Sequence, residues 1–182
     1  MSTFVALLRG INVGGKNKLP MKDLVAMFVR VGCVNVRHYI QSGNIVFDAP
    51  PKIAARIPTL VGAEIERELG LRAPLLVRTH DELRAVSLGN PLLKAGVALC
   101  SLYVMFLQGS SRGAQNYESV ALDPQRSPPD TFVVKGREIY LSLPNGAGRS
   151  KLTNAYFDAK LGTVSTARNW NTVLKLVGMS AA

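Results

Sequence analysis

Apolar residues recur with two different periods along the first half of the chain. A continuous apolar run or strict alternation is typical of a strand, whereas a return every three or four residues is typical of one helix face. These rules predict, in order, a strand at 4–9, a helix from Pro20 to Gly32, strands at 34–40 and 45–47, a helix at 52–69 and a strand at 74–78. Strand–helix–strand–strand–helix–strand is the order of a ferredoxin-like fold.

Proline and glycine mark the ends of the two predicted helices. Pro20 suits a first helical turn, and Gly32 suits the left-handed position that follows a last turn. Pro58 falls inside the helical pattern at 52–69 and is expected to kink or split that helix, because proline lacks the N–H that the helix needs.

A capping pattern and a turn predict where the first half ends. Thr79 and Glu82 have the spacing of a capping box, which predicts a short further helix. The sequence "GNP" at 89–91 ends that helix. We therefore expect one half at 1–88 and another at 89–182.

The second half repeats the order of elements in a shorter form. Its pattern predicts a strand at 99–107, a short helix around 113–121, a hairpin of strands 132–134 and 138–143 around Lys135-Gly136, a helix capped by Ser150 and ending at Gly162, and a last helix capped by Thr166. The core face of that last helix is predicted to be Trp170, Val173, Leu174 and Val177. The chain is thus predicted to be α+β, with two ferredoxin-like halves, antiparallel sheets, an incomplete second half and an extra C-terminal helix.

The charge balance is the unusual bulk property of the chain. Lys and Arg outnumber Asp and Glu by 22 to 12, and the formal net charge of +10 favours anionic partners such as nucleic acid or phosphorylated small molecules. No apolar run approaches the roughly 20 residues that cross a bilayer, and no export signal is evident. The two cysteines lack metal-binding spacing. We expect a cytoplasmic protein with no membrane contact and no metal site.

The loop in "LLRGINVGGKNKLP" combines backbone freedom with donor groups between a strand and a helix. In a ferredoxin-like sheet the first and third strands are antiparallel neighbours, so this loop is expected beside the turn at 42–44. Exposed amides and cations there would attract an anion. The candidate ligand-binding residues are Arg9, Asn12, Lys16, Ser42 and Asn44. In the alternative interpretation the glycines only shape a tight connection, Asn12 caps the backbone and the lysines are solvated.

A second candidate cluster lies in "STARNWNTVLK" near the C-terminus. Arg168, Asn169 and Asn171 are predicted to gather in the first turn of the last helix, with Arg168, Asn171 and Lys175 on a common face. This arrangement favours an anion at the helix start or a simple cap. Trp170 is predicted to belong to the core rather than to a stacking surface.

Three functions remain open from the residues alone. The first is a site for a phosphorylated or nucleotide-like small molecule, possible for an enzyme as well as for a binding protein. The second is a nucleic-acid-binding module that uses the basic surface. The third is an interaction protein without a ligand. No catalytic constellation, cofactor or oligomeric state is indicated, since the two histidines are isolated and no nucleophile motif is present.

Four segments together resemble a known family. "ALLRGINVGGKNKLPM", "YIQSGNIVF", "GRSKL" and "TARNWNTVLKL" are similar to the motifs of the bacterial domain-of-unknown-function family 1697, over about 4–177. The resemblance implies an α+β protein of two ferredoxin-like halves and implies no activity. This chain has Ala167 where the family pattern has a second threonine.

Overall fold

The chain forms two compact units that share one α+β design. A computed structural model describes residues 1–109 and 116–181. The first unit comprises Met1–Ala85 together with Lys175–Ala182, and the second unit comprises Val86–Leu174. Each unit contains one four-stranded antiparallel sheet. The predicted α+β class with ferredoxin-like strand order is confirmed.

The first sheet has the strand order β2-β3-β1-β4. The elements of this part of the chain are β1 (Ser2–Leu8), α1 (Met21–Arg30), β2 (Val34–Tyr39), β3 (Asn44–Ala49), α2 (Pro51–Ala54), α3 (Ile57–Leu69), β4 (Leu75–Thr79) and α4 (His80–Leu88). The predicted long helix is split into α2 and α3, and Pro58 stands in the first turn of α3, where its missing N–H costs nothing. The central strand β1 therefore lies between β3 and β4.

The capping box predicted for α4 is present. Glu82 N donates to Thr79 Oγ1 at 3.1 Å, and Thr79 N donates to Glu82 Oε2 at 2.9 Å. Each side chain thus satisfies one backbone N–H at the helix start, which is the reason for the threonine and glutamate at this spacing.

The core of the first unit lies between one face of its sheet and the helices α1 and α3. Alternate residues of β1 (Phe4, Ala6, Leu8) pack with Ile45 and Phe47 of β3 and with buried residues of both helices, including Leu24, Phe28, Val61 and Ile65. The rings of Phe28 and Phe47 are 5.1 Å apart. This alternation along β1 positions the end of the strand, and hence the loop that follows it.

The last residues of the chain are fastened to the first unit by two polar contacts. Arg37 Nη2 donates to the carbonyl of Met179 at 3.0 Å. His80 Nδ1 lies 3.0 Å from Ser180 Oγ. These contacts explain why the segment from Lys175 onward belongs to the first unit although it is distant in sequence.

The second sheet has the strand order β6-β7-β5-β8, which is the order of the first sheet again. Its elements are α5 (Pro91–Lys94), β5 (Leu102–Leu107), β6 (Thr131–Lys135), β7 (Glu138–Ser142), α6 (Asn154–Leu161), β8 (Ser165–Asn169) and α7 (Trp170–Ser180). The predicted hairpin at Lys135-Gly136 is confirmed as β6 and β7. Helix α7 is the expected extra C-terminal helix.

Strand β8 is the main element that the sequence pattern missed. Ser165–Asn169 was predicted as the cap of the last helix, but it pairs with β5 along its whole length, with Thr166 opposite Phe106. Among these residues Thr166 alone has a marked strand preference, so pairing with the central strand decides the conformation of the segment. The predicted caps are also wrong in detail, because α6 is capped by Thr153, not Ser150, and α7 begins only at Trp170.

Two further elements and one core residue differ from the sequence pattern. The strand predicted from 99 begins at Leu102, after one 3-10 turn. Of the helix predicted at 113–121, the first residues lie outside the described chain, and the described part contains only a 3-10 turn at Tyr117–Ser119. In α7 the predicted core residue Leu174 is 44% exposed, whereas Leu176 is buried.

No helix within 1–109 and 116–181 is long and apolar enough to span a membrane.

Candidate functional site

The β1–α1 loop, residues 10–18, has an unusual backbone. Five of its nine residues have positive φ angles between 50° and 75°, namely Gly10, Asn12, Gly14, Gly15 and Asn17. Glycine adopts this left-handed conformation freely, and asparagine is the side chain that tolerates it best. The mixture of glycine and asparagine in the sequence is therefore required by the path of the loop.

Asn12 fastens both ends of this loop. Its Oδ1 accepts from Leu19 N at 2.8 Å, and its Nδ2 donates to the carbonyl oxygens of Leu19 at 2.8 Å and Gln41 at 2.9 Å. The bond to Gln41 joins the loop to the start of the turn at 42–44, so the predicted proximity of loop and turn is confirmed. The side-chain amide of Asn12 is thereby used inside the protein.

The turn between β2 and β3 is held in the same way. Asn44 is fully buried, and its Nδ2 donates to Tyr39 O at 3.2 Å and to Ser42 Oγ at 3.0 Å. The carbonyl of Gly43 accepts from Leu8 N at 2.8 Å. Ser42 and Asn44 thus shape the turn.

The outward groups of the loop are cations and backbone amides. Lys16 and Lys18 are exposed, and among the described residues no carboxylate lies within ion-pair distance of either. Within the described chain nothing accepts a hydrogen bond from the N–H groups of Gly14 and Gly15. Arg9 is half-buried directly after β1, where its backbone N–H donates to Pro74 O at 2.9 Å. Positive charge and N–H donors therefore face solvent on a loop that is fixed underneath.

Arg168 belongs to strand β8 rather than to a helix start. It is 7% exposed, and its Nη1 donates to Thr166 Oγ1 and to the carbonyl of Ala167, both at 2.8 Å. Burial lowers the pKa of its guanidinium to about 10, which leaves the group charged at neutral pH. The predicted common face of Arg168, Asn171 and Lys175 is wrong, because the first of these residues is in a strand and the other two are in α7.

Asn169 is the cap of α7. Its Oδ1 accepts from Thr172 N at 2.8 Å, which satisfies an amide of the first helical turn. Asn171 is exposed in that turn. These residues and Arg168 lie in the second unit, whereas the loop and the turn lie in the first.

A buried arginine of the first unit was missed by the sequence analysis. Arg78 on β4 is 2% exposed and donates from Nη1 to the carbonyl of the preceding residue at 3.2 Å. It stands opposite Val5 of the central strand, as Arg168 stands opposite Val104 in the other sheet. Each arginine directly precedes the residue that caps the next helix. Residue identity between the halves does not reveal that Arg78 and Arg168 correspond. An alignment of the halves by strand register would have revealed it.

Replacing Arg168 by alanine is expected to destabilise the protein by about 2–3 kcal/mol, since hydrogen bonds to a charged group contribute more than neutral ones and the bond to Thr166 Oγ1 would be lost. Denaturant unfolding followed by circular dichroism measures the effect. Asn171→Ala, at an exposed position three residues further along the chain, is the control and is expected to be near neutral. Equal stability of the two variants would contradict a buried structural role for Arg168.

The first unit also contains a cavity whose lining includes none of the predicted site residues. An open cavity of about 470 Å³ in the first unit is lined by residues from the start of β1, the start of α4 and the end of α7, including Thr3, His80 and Ser180. Within 1–109 and 116–181 no three His, Cys, Asp or Glu side chains are grouped so that they could hold a metal ion.

Comparison with known proteins places the chain in a family without assigning an activity. A solved structure described as conserved bacterial protein SP0830 from Streptococcus pneumoniae is similar over 98% of both chains, with 22% identity and a TM-score of 0.69, which shows a common fold. No curated protein matches the chain. The family model described as "Protein of unknown function (DUF1697)" matches residues 1–140. The chain therefore belongs to the DUF1697 family.

Proposed function

We propose that the first unit binds a small anionic ligand, of the phosphorylated class, at the β1–α1 loop. The observation that carries the proposal is that one side chain of the loop bonds inside the protein while two cations of the loop face solvent. Asn12 uses its amide to hold the loop down, while Lys16 and Lys18 face solvent without an acidic partner in the described chain.

The backbone of the loop supports the same ligand class. Gly14 and Gly15 both have left-handed φ angles, of 56° and 75°. Consecutive N–H groups in such turns form a concave surface that attracts anions. Because no Cβ atom projects from either glycine, a phosphate oxygen can approach these amides closely.

The internal hydrogen bonds reduce the cost of binding. A loop that is already ordered loses less conformational freedom when a ligand arrives. In this proposal Asn12, Ser42 and Asn44 position the loop, Lys16 and the backbone amides contact the anion, and Arg9 adds charge at the strand end. The loop contains no carboxylate, histidine or thiol, so the proposed role is recognition rather than catalysis.

The double variant Lys16→Ala/Lys18→Ala tests the proposal. With inorganic pyrophosphate as the probe in isothermal titration calorimetry, we expect at least a tenfold loss of affinity, since charge-assisted bonds to phosphate are the strong ones. The melting temperature is expected to stay unchanged, because exposed charges contribute little to stability.

The matched control is Lys52→Ala/Arg56→Ala, which removes the same charge from exposed positions of the same unit. If both double variants bind pyrophosphate equally, the loop has no specific role and the proposal fails. A collapse of the melting temperature in the loop variant alone would instead make the lysines structural.

Salt dependence separates this function from the nucleic-acid alternative that the net charge of +10 raises. Binding of duplex DNA through several phosphates gives a slope of log K against log salt near −0.9 for each contact. A single anion on the loop gives a shallow slope. Steep dependence with a fluorescent duplex, combined with no pyrophosphate binding, would favour nucleic acid over the small ligand.

A further inference from the structure

We propose a second phosphate-binding site in the second unit, formed by Arg126, Arg149 and Lys151, here called the basic cluster. All three residues are exposed. Arg126 lies in the segment before β6, and the other two lie in the segment before α6. This site is separate from the loop of the first unit and does not depend on the function proposed there.

Arg126 is held in place by an aromatic ring and by the backbone. Its Cζ lies 4.1 Å from the centre of the Tyr156 ring, and its Nε donates to the carbonyl of Lys151 at 3.0 Å. The ring is itself fixed, since Tyr156 is 7% exposed, its hydroxyl accepts from Asp123 N at 2.9 Å, and it contacts Phe157. An exposed arginine is normally mobile, and this one is anchored by two contacts.

The two segments that carry the cations are joined beneath the surface. Lys151 N donates to Ser127 Oγ at 3.0 Å, and Ser127 Oγ donates to Asp130 Oδ2 at 2.7 Å. Ser127 and Asp130 are both buried, so the carboxylate of Asp130 is used in holding the segments together. The spacing of Arg126 and Lys151 is therefore set by the fold.

The positive charges of the basic cluster are not neutralised within the described chain. No carboxylate oxygen there lies within ion-pair distance of any of the three side chains. The nearby Asp123 uses Oδ1 to accept from Gln125 N. The Nη1 and Nη2 groups of Arg126 also have no hydrogen-bond partner among the described residues.

The chemistry of these groups selects a phosphate. A guanidinium presents its donors in a planar fork that matches two oxygens of one phosphate, and stacking on a ring fixes that plane. Lys151, whose carbonyl holds Arg126, and Arg149, two residues before it in the chain, add positive charge to the cluster. Anchoring Arg126 before the ligand arrives lowers the ordering cost of binding. The shared chemistry is a phosphate group, either of a small molecule or of a nucleic-acid backbone.

An NMR titration of the ¹⁵N-labelled full chain locates the site. With inorganic pyrophosphate or a short single-stranded DNA as the probe, we expect shifts of the backbone amides around Arg126 and 149–151. Shifts at 10–18 report separately on the loop of the first unit, so failure of one site is distinguished from failure of the other. The absence of saturable shifts around Arg126 and 149–151 with both probes would overturn this proposal.

Variants measure the specificity of the basic cluster. Arg126→Ala/Lys151→Ala is expected to weaken binding of the better probe about tenfold relative to Lys94→Ala/Lys160→Ala, which removes the same charge from exposed positions of the same unit. Equal affinity of the two double variants would mean a general charge effect only and would overturn the site. Arg126→Lys keeps the charge but loses the fork, and unchanged affinity in it would overturn the role given to the guanidinium.

The two probes identify the source of the phosphate. Pyrophosphate binding that DNA does not exceed supports a phosphorylated small molecule, whereas tighter DNA binding with a salt slope near −0.7 for each contact supports a single strand. Arg126→Ala could lower the melting temperature by removing the contact with Tyr156. In that case Arg149→Ala/Lys151→Ala is the test variant, because it leaves the contact between Arg126 and Tyr156 intact.

Discussion

Replacing Gly43 by alanine is expected to destabilise the protein by about 3 kcal/mol or more. Two penalties combine at this position. The φ angle of 75° is left-handed, which costs a residue with a Cβ about 1–2 kcal/mol. An added Cβ would also lie 2.7 Å from Leu8 Cβ and 2.9 Å from Ile11 Cδ1, an overpacking that typically costs about 1–3 kcal/mol.

The control for this prediction is Gly62→Ala in helix α3. Its φ is not left-handed, and a Cβ there would meet no heavy atom within 4 Å. Since alanine is the better helix former, Gly62→Ala is expected to stabilise the protein by about 0.5–1 kcal/mol. Urea unfolding of both variants measures the difference. A Gly43→Ala variant as stable as the parent would show that the turn moves away without cost.

Gly43→Ala is also expected to disturb the β1–α1 loop. Ile11 is 2% exposed and is one of the two side chains that an added Cβ at Gly43 would meet. A shift of Ile11 would strain the neighbouring Asn12, whose amide links the loop to Gln41. The proposed anion site and the turn are therefore coupled through packing.

Most of the fold could be predicted from the sequence, because local patterns and tertiary structure agree there. The apolar alternation that predicts β1 is the alternation that packs Phe4, Ala6 and Leu8 against the helices. The capping box at Thr79 is a local device, and it forms with the predicted partners. Agreement of this kind across levels is typical of natural sequences.

Strand β8 could not be predicted because only Thr166 favours it locally. The sequence Ser165–Asn169 contains short polar residues and one arginine, a pattern that is also typical of a helix cap. Its strand conformation comes from five paired positions along β5. As a result the buried Arg168 was expected at a solvent-facing helix start.

The candidate sites, like the fold, could be predicted from the sequence only in part. The closeness of Asn12 to the turn followed from strand order, but the three hydrogen bonds of its side chain depend on where Leu19 and Gln41 come to lie. The stacking of Arg126 on Tyr156 joins two segments that no local pattern connects. Contacts of this type appear only when the tertiary structure is known.

Replacing Trp170 by alanine is expected to destabilise the protein by about 3–5 kcal/mol, the usual range for truncating a large buried side chain. Trp170 is the first residue of α7, directly after the cap Asn169, and is 2% exposed. The sequence analysis expected the indole to be buried, and this expectation is confirmed. The loss of a large apolar volume leaves a cavity that the surrounding core fills only in part.

Leu174→Ala, one turn further along α7, is the matched control. The sequence pattern placed Leu174 on the core face, but it is 44% exposed, so its truncation is expected to change the free energy of unfolding by no more than about 0.5 kcal/mol. Urea unfolding followed by circular dichroism compares the two variants with the parent. Trp170 is the only tryptophan in the chain, so its fluorescence in the Leu174→Ala variant reports on burial independently and is expected to shift to longer wavelength on unfolding. A near-neutral Trp170→Ala together with solvent-like emission in the native state would place the indole on the surface, where it could stack on a base.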